Sequence, residues 1–416
     1  MTSCQQHFAV RSAVFFAVLV ALGWAVPSHA QTSIFNIQNS PSPNVRGNTL
    51  NAVAALSATD AWAVGYQNDN NLNDSRTLTM HFDGSQWKLV RTPNPGSHCQ
   101  GSSGNFLNAV AAVAPDDVWA VGFFFTCSSL LKPMVLHWDG AAWTPVRTPA
   151  LNTNDNAALN GIVALAANNI YAVGYQPASN GAVQTLIEHW DGSSWSLMPS
   201  PNPSPSSNLL SAVTANSPTD IWAVGNSGDQ PTSSVQTLAL HFDGAAWKTV
   251  PTPNPLPKQV LNQNVLLSVQ AVSASDVTTV GFIADAGAQN VLTLIEHWNG
   301  TKWSVVPSPN QGEARGDLNT LHGVAAVSGT DIYAAGFFEN ASTGGQHTTL
   351  IEHFDGHAWS IIPSPTKGLA QQLNGAFALP GTTNVWSVGG FSRQGIDFED
   401  GFLQLPKTLV LFSPIG

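Results

Sequence analysis

The side chains in this sequence that could do chemistry are histidines and carboxylates that recur in a repeated pattern. A histidine beside carboxylates can act as a metal ligand or as a general acid or base. Each histidine of the pattern belongs to a different copy of the repeat, so we expect them to lie too far apart to share a metal ion. We predict no metal site and a structural hydrogen bond for each ring. These histidines, each ahead of an aromatic residue and an Asp-Gly or Asn-Gly pair, are His81, His137, His189, His241, His297 and His353.

Three glutamates form the second recurring group, each directly before one of the histidines. Other copies of the repeat hold an aliphatic residue there, so the position is a poor candidate for an acid–base catalyst. We expect half-buried carboxylates at a strand edge. The glutamates are Glu188, Glu296 and Glu352, and the aliphatic counterparts are Met80, Leu136 and Leu240.

These residues lie in a hairpin that the sequence repeats. In residues 185–203, TLIEHWDGSSWSLMPSPNP, a strand of alternating character meets an Asp-Gly turn, and Trp195 opens a second strand that prolines close. A single hairpin cannot bury its apolar face in water, so the copies must stack on one another. Close copies begin at Thr77, Thr237, Thr293 and Thr349, and a looser copy spans residues 133–149.

A second paired signal precedes each hairpin. It begins with small residues, such as NAVAAL at residues 51–56, turns at an Asp or Asn, and ends at a glycine. Two strands here and two in the hairpin make four per repeat, and a period of about 50 residues with four strands is typical of a β-propeller blade. The sequence therefore predicts an all-β protein, a seven-bladed β-propeller with four-stranded blades. The glycines, 51 to 57 residues apart, are Gly65, Gly122, Gly174, Gly225, Gly281, Gly336 and Gly389.

The size of the side chains predicts which strand of each blade lies nearest the propeller axis. The small first strands suit the crowded axis of a propeller, where bulky side chains would not fit. Aromatic residues on the second strand, and a tryptophan after each hairpin turn, would fill the gaps between blades. The second-strand position holds Trp62, Trp119, Tyr171, Trp222, Thr278, Tyr333 and Trp386, of which Thr278 alone is not aromatic.

The last repeat lacks a strand at one end of the chain, and a matching strand stands at the other. The seventh copy has its first two strands and a third at residues 408–412. Residues 33–44, SIFNIQNSPSPN, align with residues 303–310, WSVVPSPN, with Phe35 in the tryptophan position. We predict that the N-terminal strand completes the last blade, which closes the ring and removes the exposed edges of an open array.

The order of these elements resembles Kelch repeats. A small first strand, then Ile-Tyr-Ala-Val-Gly, then Leu-Ile-Glu-His-Trp-Asp-Gly-x-x-Trp-x-x-x-Pro follows the layout of Kelch blades, which carry a glycine pair and a spaced Tyr and Trp. Only Gly389 and Gly390 keep the double glycine here. The Asp-Gly-x-x-Trp turn also resembles the Asp-box turns of sialidase-like propellers. The resemblance covers residues 33–416 and implies an exported, bacterial-type propeller, a fold that hosts both enzymes and binding scaffolds.

Residues 1–30 have the features of an export signal. Arg11 supplies a positive flank, residues 12–26 an apolar run, and residues 28–30, Ser-His-Ala, a small-residue cleavage site. The apolar run is short for a membrane span. We predict cleavage near Ala30 and a single mature domain, residues 31–416, that is secreted or periplasmic and not stably inserted in a membrane.

Charge, cysteine content and the absence of known motifs in the sequence limit the classes of partner and cofactor that we expect. With a formal net charge of -11 and only 9% charged residues, the chain lacks the basic footprint of a nucleic-acid binder, and we predict no nucleic-acid partner. After the signal, Cys99 and Cys127 remain in loops expected on one face, so we predict a disulfide between them. No glycine-rich phosphate loop or His-rich metal spacing is present, so we predict no cofactor. We also predict a monomer.

Two classes of function remain open. The first is a non-catalytic extracellular scaffold that binds a glycan or a protein. The alternative is a polysaccharide hydrolase or lyase whose active site is assembled from loops, with two carboxylates about 5–10 Å apart. A sialidase-like site would need an arginine cluster at the axis, and no first strand carries an Arg or an acid. A copper oxidase resembling galactose oxidase would need paired Tyr and His ligands and a Cys–Tyr cross-link.

The predicted ligand-binding face is the one on which the first strands begin. Amides and hydroxyls there suit sugar hydroxyls, and charged insertions at residues 311–320 and 391–402 fall in loops of the same face. The alternative is that the amides satisfy strand ends and the insertions are merely solvated. The candidates at the channel mouth are Asn51, Asn108, Asn160, Ser211, His322 and Asn374, and those in the insertions are Arg315, Asp317, Arg393, Asp397, Glu399 and Asp400.

Overall fold

The part of the chain that the structure describes consists mainly of β-strands. The computed structural model describes residues 33–68, 74–96, 103–151, 156–229, 232–393, 397–399, 402–404 and 407–413. One 3-10 turn, Ala341–Thr343, lies among these residues, and none of their helical segments is long and apolar enough to cross a membrane. In chain order the strands are β1 (Asn36–Gln38), β2 (Gly47–Ser57), β3 (Asp60–Asn68), β4 (Asp74–Phe82), β5 (Trp87–Val90), β6 (Ser103–Ala114), β7 (Asp117–Phe125), β8 (Leu131–Trp138), β9 (Trp143–Val146), β10 (Ala158–Ala166), β11 (Asn169–Pro177), β12 (Val183–Trp190), β13 (Trp195–Leu197), β14 (Ser207–Ser217), β15 (Asp220–Asp229), β16 (Ser234–Phe242), β17 (Trp247–Val250), β18 (Gln263–Ser273), β19 (Asp276–Asp285), β20 (Asn290–Trp298), β21 (Trp303–Val305), β22 (Leu318–Ser328), β23 (Asp331–Glu339), β24 (Thr348–Phe354), β25 (Trp359–Ile361), β26 (Ala370–Ala378), β27 (Val385–Ser392), β28 (Asp397–Glu399), β29 (Phe402–Gln404) and β30 (Lys407–Ser413).

The strands pair into four-stranded antiparallel units arranged as a β-propeller. Within a unit the strands follow chain order from the axis outward, as in β2–β3–β4–β5. The first strands of the units face a central channel, as the small residues of those strands predict. Among the described strands there are seven such units, called blades 1 to 7 below: β2–β5, β6–β9, β10–β13, β14–β17, β18–β21, β22–β25, and β26, β27 and β30 with β1.

Blade 7 joins the first and last described strands. β1 pairs antiparallel with β30, with Asn36 opposite Phe412. Phe35 is 2% exposed and packs edge-on against Tyr333 of blade 6, with ring centroids 5.9 Å apart. The predicted completion of the last blade by the N-terminal strand is therefore confirmed.

A tight turn joins the third and fourth strands of blades 1 to 6. The Asp or Asn of the turn accepts hydrogen bonds from the backbone N–H groups two and three residues further on, which for Asp139 come from Ala141 at 2.9 Å and Ala142 at 2.8 Å. These bonds, that from Ala142 foremost, hold the pKa of the Asp139 carboxyl below its usual range. The glycine that follows has φ between 88° and 95°, a conformation that side chains with a Cβ disfavour. These glycines are Gly84, Gly140, Gly192, Gly244, Gly300 and Gly356.

Each histidine of the repeat is held inside its own blade. His81 Nε2 lies 2.9 Å from Asp60 Oδ1, and the imidazole lies against Trp62, with ring centroids 4.5 Å apart. The same hydrogen bond to Asp or Asn recurs in blades 2 to 6. The structural role predicted for these histidines is confirmed, and its repetition argues against any one of them being a catalyst.

Aromatic rings fill the contacts between neighbouring blades. Trp62 of blade 1 is 1% exposed and packs edge-on against Trp143 of blade 2, with centroids 5.4 Å apart. Burying an aromatic side chain contributes about 1.5–3 kcal/mol, so these contacts are a main source of stability. The equivalent buried residues are Trp119, Tyr171, Trp222, Tyr333 and Trp386, with Thr278 as the exception in blade 5.

The three glutamates of the repeat are buried more deeply than the sequence predicts. Glu188, Glu296 and Glu352 are each 0% exposed, and no described group hydrogen-bonds to their carboxyl oxygens. The expectation of half-buried edge carboxylates is wrong because this position faces the neighbouring blade, as Leu136 does when it packs with Trp62. Burial raises the pKa of each glutamate to about 8.

The predicted disulfide between Cys99 and Cys127 stays a prediction. Cys127 directly follows the loop residue Thr126 after β7, as expected from the sequence. Cys99 lies outside the described residues.

We expect Phe35→Ala to lower the free energy of unfolding by about 3–5 kcal/mol, because it removes the buried ring that seats the closing strand. The matched control is Ile34→Ala, since Ile34 is 38% exposed. Denaturant unfolding of both variants measures the difference. Equal losses in the two variants would contradict closure of the ring through this strand.

We expect the three buried glutamates to contribute a loss of stability as the pH rises from about 4.5 to about 8. The three buried glutamates ionise at the ordinary value of 4.5 in the unfolded chain but stay protonated in the fold until about pH 8. Ionisation therefore favours the unfolded chain across this window, by about 1.4 kcal/mol for each unit of pKa difference as an upper bound.

The triple variant Glu188→Leu, Glu296→Leu, Glu352→Leu introduces the residue that Leu136 and Leu240 already provide at this position. Its melting temperature should exceed that of the wild type at pH 8 and approach it at pH 4.5. Glu313→Leu, at an exposed position, is the control. A triple variant with the pH dependence of the wild type would show that these carboxyls are not the source.

Candidate functional site

The first strands of the blades enclose a channel that small, uncharged side chains line in the described part of the chain. A cavity of about 400 Å³ lies within it, lined mainly by Ala, Val and Gly residues. Among the described lining residues there is no Asp, Glu, Lys or Arg, and His322 is the only one with a titratable side chain.

A β-bulge near the start of each first strand turns one side chain toward the channel mouth. In blade 1 the pairing register passes from Leu50 to Ala52, so Asn51 stands outside the ladder. A bulge of this kind re-aims a side chain. The re-aimed residues border a cavity of about 380 Å³ together with Thr49, Tyr66 and Gln372. They are Asn51, Asn108, Asn160, Ser211, Leu267, His322 and Asn374.

Four asparagines at the mouth form a belt of hydrogen bonds from blade to blade. Asn51 Nδ2 donates to the carbonyl oxygen of Leu107 in blade 2 at 2.8 Å. The belt supports the view that these amides satisfy strand ends, and it connects blade 7 through blades 1, 2 and 3 to blade 4. The equivalent bonds, each 2.9 Å, run from Asn108 to Leu159, from Asn160 to Leu210 and from Asn374 to Leu50.

The belt is interrupted in blades 4 and 5, and in blade 6 a histidine replaces its amide. Ser211 and Leu267 occupy the position in blades 4 and 5, and neither side chain donates to the next blade in the described part of the chain. His322 takes the position in blade 6 and forms a hydrogen bond with Asn374. The mouth is therefore asymmetric, with four amides on one side of the ring and a hydroxyl, an isobutyl group and an imidazole on the other.

The histidines near the mouth are neutral at physiological pH. Burial lowers the pKa of His322 to about 4; a hydrogen bond with Asn374 opposes the shift, and nearby His347 adds to it. His347 is 7% exposed, stacks on Phe337 with centroids 4.0 Å apart, and places Nε2 3.1 Å from Glu339 Oε2. Burial also lowers the pKa of His347. The described lining of the mouth is consequently uncharged near pH 7.

The insertion before blade 6 is a folded loop organised by Asp317. Asp317 is 2% exposed; its Oδ2 accepts a hydrogen bond from the Ala314 N–H and its Oδ1 one from the Ala341 N–H, each at 3.0 Å. The carboxylate links the insertion to the 3-10 turn of blade 6. Both of its oxygens already accept hydrogen bonds from backbone N–H groups of the protein. Arg315 is exposed in the same loop. Of the two predicted candidates here, only Arg315 has a surface position from which to contact a ligand.

The second insertion lies between β27 and β30 of blade 7. Arg393 is exposed, and Asp397 and Glu399 lie on β28, which pairs with β29 in a small hairpin. Asp400 lies outside the described residues. The structure thus gathers the amide and histidine candidates at the mouth, and it does not place Arg315 or Arg393 in the lining of that cavity.

The described residues contain no group of three or more His, Cys, Asp or Glu side chains that could hold a metal ion. Four residues at the mouth were not predicted from the sequence: Thr49, Tyr66, Leu267 and Gln372. Leu267 could have been found by aligning the first strands, since it stands where other blades have Asn. Tyr66 reaches the mouth only because it pairs opposite Thr49 on the neighbouring strand, which the sequence pattern does not reveal.

Comparison with known proteins supports the fold. No protein-family model matches the chain, and a search of the curated proteins found no match. Among solved structures, that of YCF48 bound to D1 peptide is 12% identical, covers 92% of this chain and 97% of that chain, and superposes with a TM-score of 0.53. At this identity the likeness shows the β-propeller fold alone.

Two further solved structures match with TM-scores too low to support a structural inference. The structure of YjhT is 13% identical, with 80% of this chain and 100% of that chain covered and a TM-score of 0.43. A mutant of Trypanosoma rangeli sialidase displaying trans-sialidase activity is 10% identical, with 93% of this chain and 60% of that chain covered and a TM-score of 0.45.

We expect Asn108→Ala to lower the free energy of unfolding by about 1–3 kcal/mol, because it removes the belt hydrogen bond and leaves the Leu159 carbonyl without that donor. Ser211→Ala changes the corresponding position in blade 4, which makes no belt bond, and is the matched control. Denaturant unfolding compares the two variants. If both lose the same stability, the belt does not join the blades as described.

Proposed function

We propose that this chain is a non-catalytic binding protein and that its ligand contacts the mouth of the channel. The observation that carries the proposal is the chemistry of the mouth, where amide, hydroxyl and imidazole groups surround a cavity of about 380 Å³ without a charged side chain. Sites for small ligands are typically about 300–1,000 Å³. Neutral donors and acceptors at this density suit a neutral, hydroxyl-rich ligand, and we propose a glycan.

The amides of the belt keep hydrogen-bonding capacity for such a ligand. A carboxamide has two N–H donors and an acceptor oxygen, and each belt bond to a carbonyl uses one N–H. Asn108 Nδ2 also donates to Asn160 Oδ1 at 3.3 Å, so these two amides keep less free capacity than Asn51. Asn51 thus retains a second N–H and its oxygen at the mouth, while Asn374 Oδ1 already accepts from Gln372 Nε2 at 2.9 Å. Because the belt fixes these side chains before a ligand arrives, binding orders fewer rotamers. Tyr66 and Leu267 add apolar surface for the C–H faces of a sugar.

The alternative of a polysaccharide hydrolase or lyase requires two carboxylates on either side of a bound sugar. The described lining of the mouth holds none, and Asp317 is occupied by backbone N–H groups. Acids on the blade 7 insertion, Asp397 and Glu399 among them, would have to supply the pair. For this reason binding is the proposal and hydrolysis an outcome that the experiment must detect.

We further propose that the ligand is met outside the cytoplasm. The support is the export signal read in residues 1–30, together with the low content of charged residues. A peptide presented at the same mouth is the other extracellular ligand that the test includes.

A glycan array with the wild-type protein should identify a neutral oligosaccharide, and calorimetry should give its affinity. Ser211→Trp places a large ring in the mouth without removing a belt bond, and we expect it to weaken binding at least about 100-fold. The double variant Arg315→Ala, Arg393→Ala removes the exposed insertion cations and should bind as the wild type does.

The same preparation is incubated with the bound oligosaccharide, and its products are analysed. Cleavage of the oligosaccharide would contradict a non-catalytic role. Loss of binding in the arginine double variant but not in Ser211→Trp would place the site in the insertions. Peptide binding that Ser211→Trp abolishes would keep the mouth as the site and refute the glycan.

A further inference from the structure

One buried position departs from the aromatic pattern that seals the blades. The second strands of six blades carry Trp or Tyr at this point, whereas blade 5 carries Thr278. Thr278 is 3% exposed, so the difference lies at the contact between blades 5 and 6 and not on the surface. Replacing an aromatic ring by a threonine there must leave space unless neighbouring groups collapse into it.

The contact between blades 4 and 5 shows what the position normally holds. The ring of Trp222 lies against His241 of its own blade, with centroids 4.4 Å apart. It also packs against two rings of the next blade, Trp298 at 5.0 Å and Trp303 at 5.3 Å. The indole is therefore clasped between one imidazole and two aromatic side chains.

The contact between blades 5 and 6 retains these surroundings but lacks the ring. A cavity of about 470 Å³ is lined by Thr278 and His297 of blade 5 and by Phe354 and Trp359 of blade 6. Ser275 also lines the cavity and is exposed, so the cavity opens to the surface. The His297 side chain is 35% exposed, against 25% to 31% for its counterparts His81, His137, His241 and His353.

We propose that this cavity is a binding site for a planar, uncharged aromatic ring system of the size of indole. A ring in the cavity would lie against the His297 imidazole and meet Trp359 edge-on, as Trp222 meets its neighbours. It would also restore dispersion contacts that the threonine forgoes. This site is separate from the channel mouth, because its lining includes Ser273 at the far end of the first strand.

A hydrogen-bond acceptor is in place for the N–H of an indole. Asp276 lines the cavity, and its Oδ1 lies 2.9 Å from His297 Nε2. In blade 2 the equivalent Asp117 accepts a hydrogen bond from the indole Nε1 of Trp119 at 2.6 Å. In blades 1 and 4 the indole Nε1 of Trp62 and Trp222 has no hydrogen-bond partner among the described residues, so Asp276 is an available acceptor and the packing of a ring does not depend on it. The cavity thus combines apolar faces with one acceptor, which is the usual composition of a small-molecule site.

The Asp276–His297 pair beside Ser275 does not indicate a catalytic triad. The same Asp–His pair recurs in blades 1, 2, 4 and 6, where an aromatic ring covers it. Its constant role is to hold the imidazole for stacking. What differs in blade 5 is the missing ring alone, so binding and not hydrolysis is the inference.

The test uses the full chain with 5-fluoroindole as the probe, followed by fluorine NMR and calorimetry. The wild type should bind one equivalent, with nuclear Overhauser effects between the probe and the Thr278 methyl group. Thr278→Trp fills the cavity with the residue of blade 4, and we expect at least about a tenfold loss of affinity. Thr278→Tyr, which supplies the residue found in blades 3 and 6, should also block the site if Thr278→Trp does not fold.

Thr249→Trp, at an exposed position of β17, is the control for an added tryptophan and should bind as the wild type does. Wild-type affinity in a folded Thr278→Trp or Thr278→Tyr protein would overturn the proposal. So would the absence of Overhauser contacts to Thr278 in the wild type. Equal binding of cyclohexanol would refute the requirement for an aromatic ring.

Discussion

Burial of aromatic rings between neighbouring blades is the interaction on which this structure depends. A four-stranded sheet of this length cannot cover its own apolar faces, so each blade must be covered by the blades on either side. The ring that fills a contact belongs to one blade and its surroundings belong to the next, as with Trp62 and Trp143. No blade is complete by itself, and the array is stable only when every contact, including the last, has a partner.

The polar groups follow from that packing. Blades in close contact bring the start of one first strand near the carbonyl groups of the next, and a bulge at Asn51 turns its amide into that gap. Blades 4 and 5 carry Ser211 and Leu267 in place of the amide. The side chains at the mouth differ there, and the strand pairing of the blades is unchanged. The buried glutamates lie in an apolar contact between blades and have no hydrogen-bond partner among the described residues. Burial therefore favours their protonated form, and ionisation destabilises the fold.

Repetition made the frame predictable from sequence. The turn glycines and the histidine position recur in the repeats, and Phe35 aligns with the tryptophans that open the fourth strands. Strand order and ring closure could therefore be inferred from the sequence alone. Depth of burial could not, because the neighbour of Glu188 belongs to another blade and the strand pattern alone does not identify it. The asparagines at the mouth were predicted from the sequence. Tyr66 was not, because it lies at the mouth only through the pairing of β3 with Thr49 on β2. Asp317 was misread because its partners, Ala314 and Ala341, contribute backbone and not side-chain groups.

The strand that completes blade 7 pairs with a strand that is distant from it in the chain. Ser40 and Thr408 place their hydroxyl groups 2.7 Å apart although 368 residues separate them in the chain. Closing a loop of this length costs more entropy than pairing neighbouring strands, so we expect β1 to pair with β30 after the other blades have assembled. During that interval β30 presents the same surface to the β1 strand of its own chain and to that of another copy. The feature that closes the ring within one molecule is therefore also the place where two molecules can exchange strands.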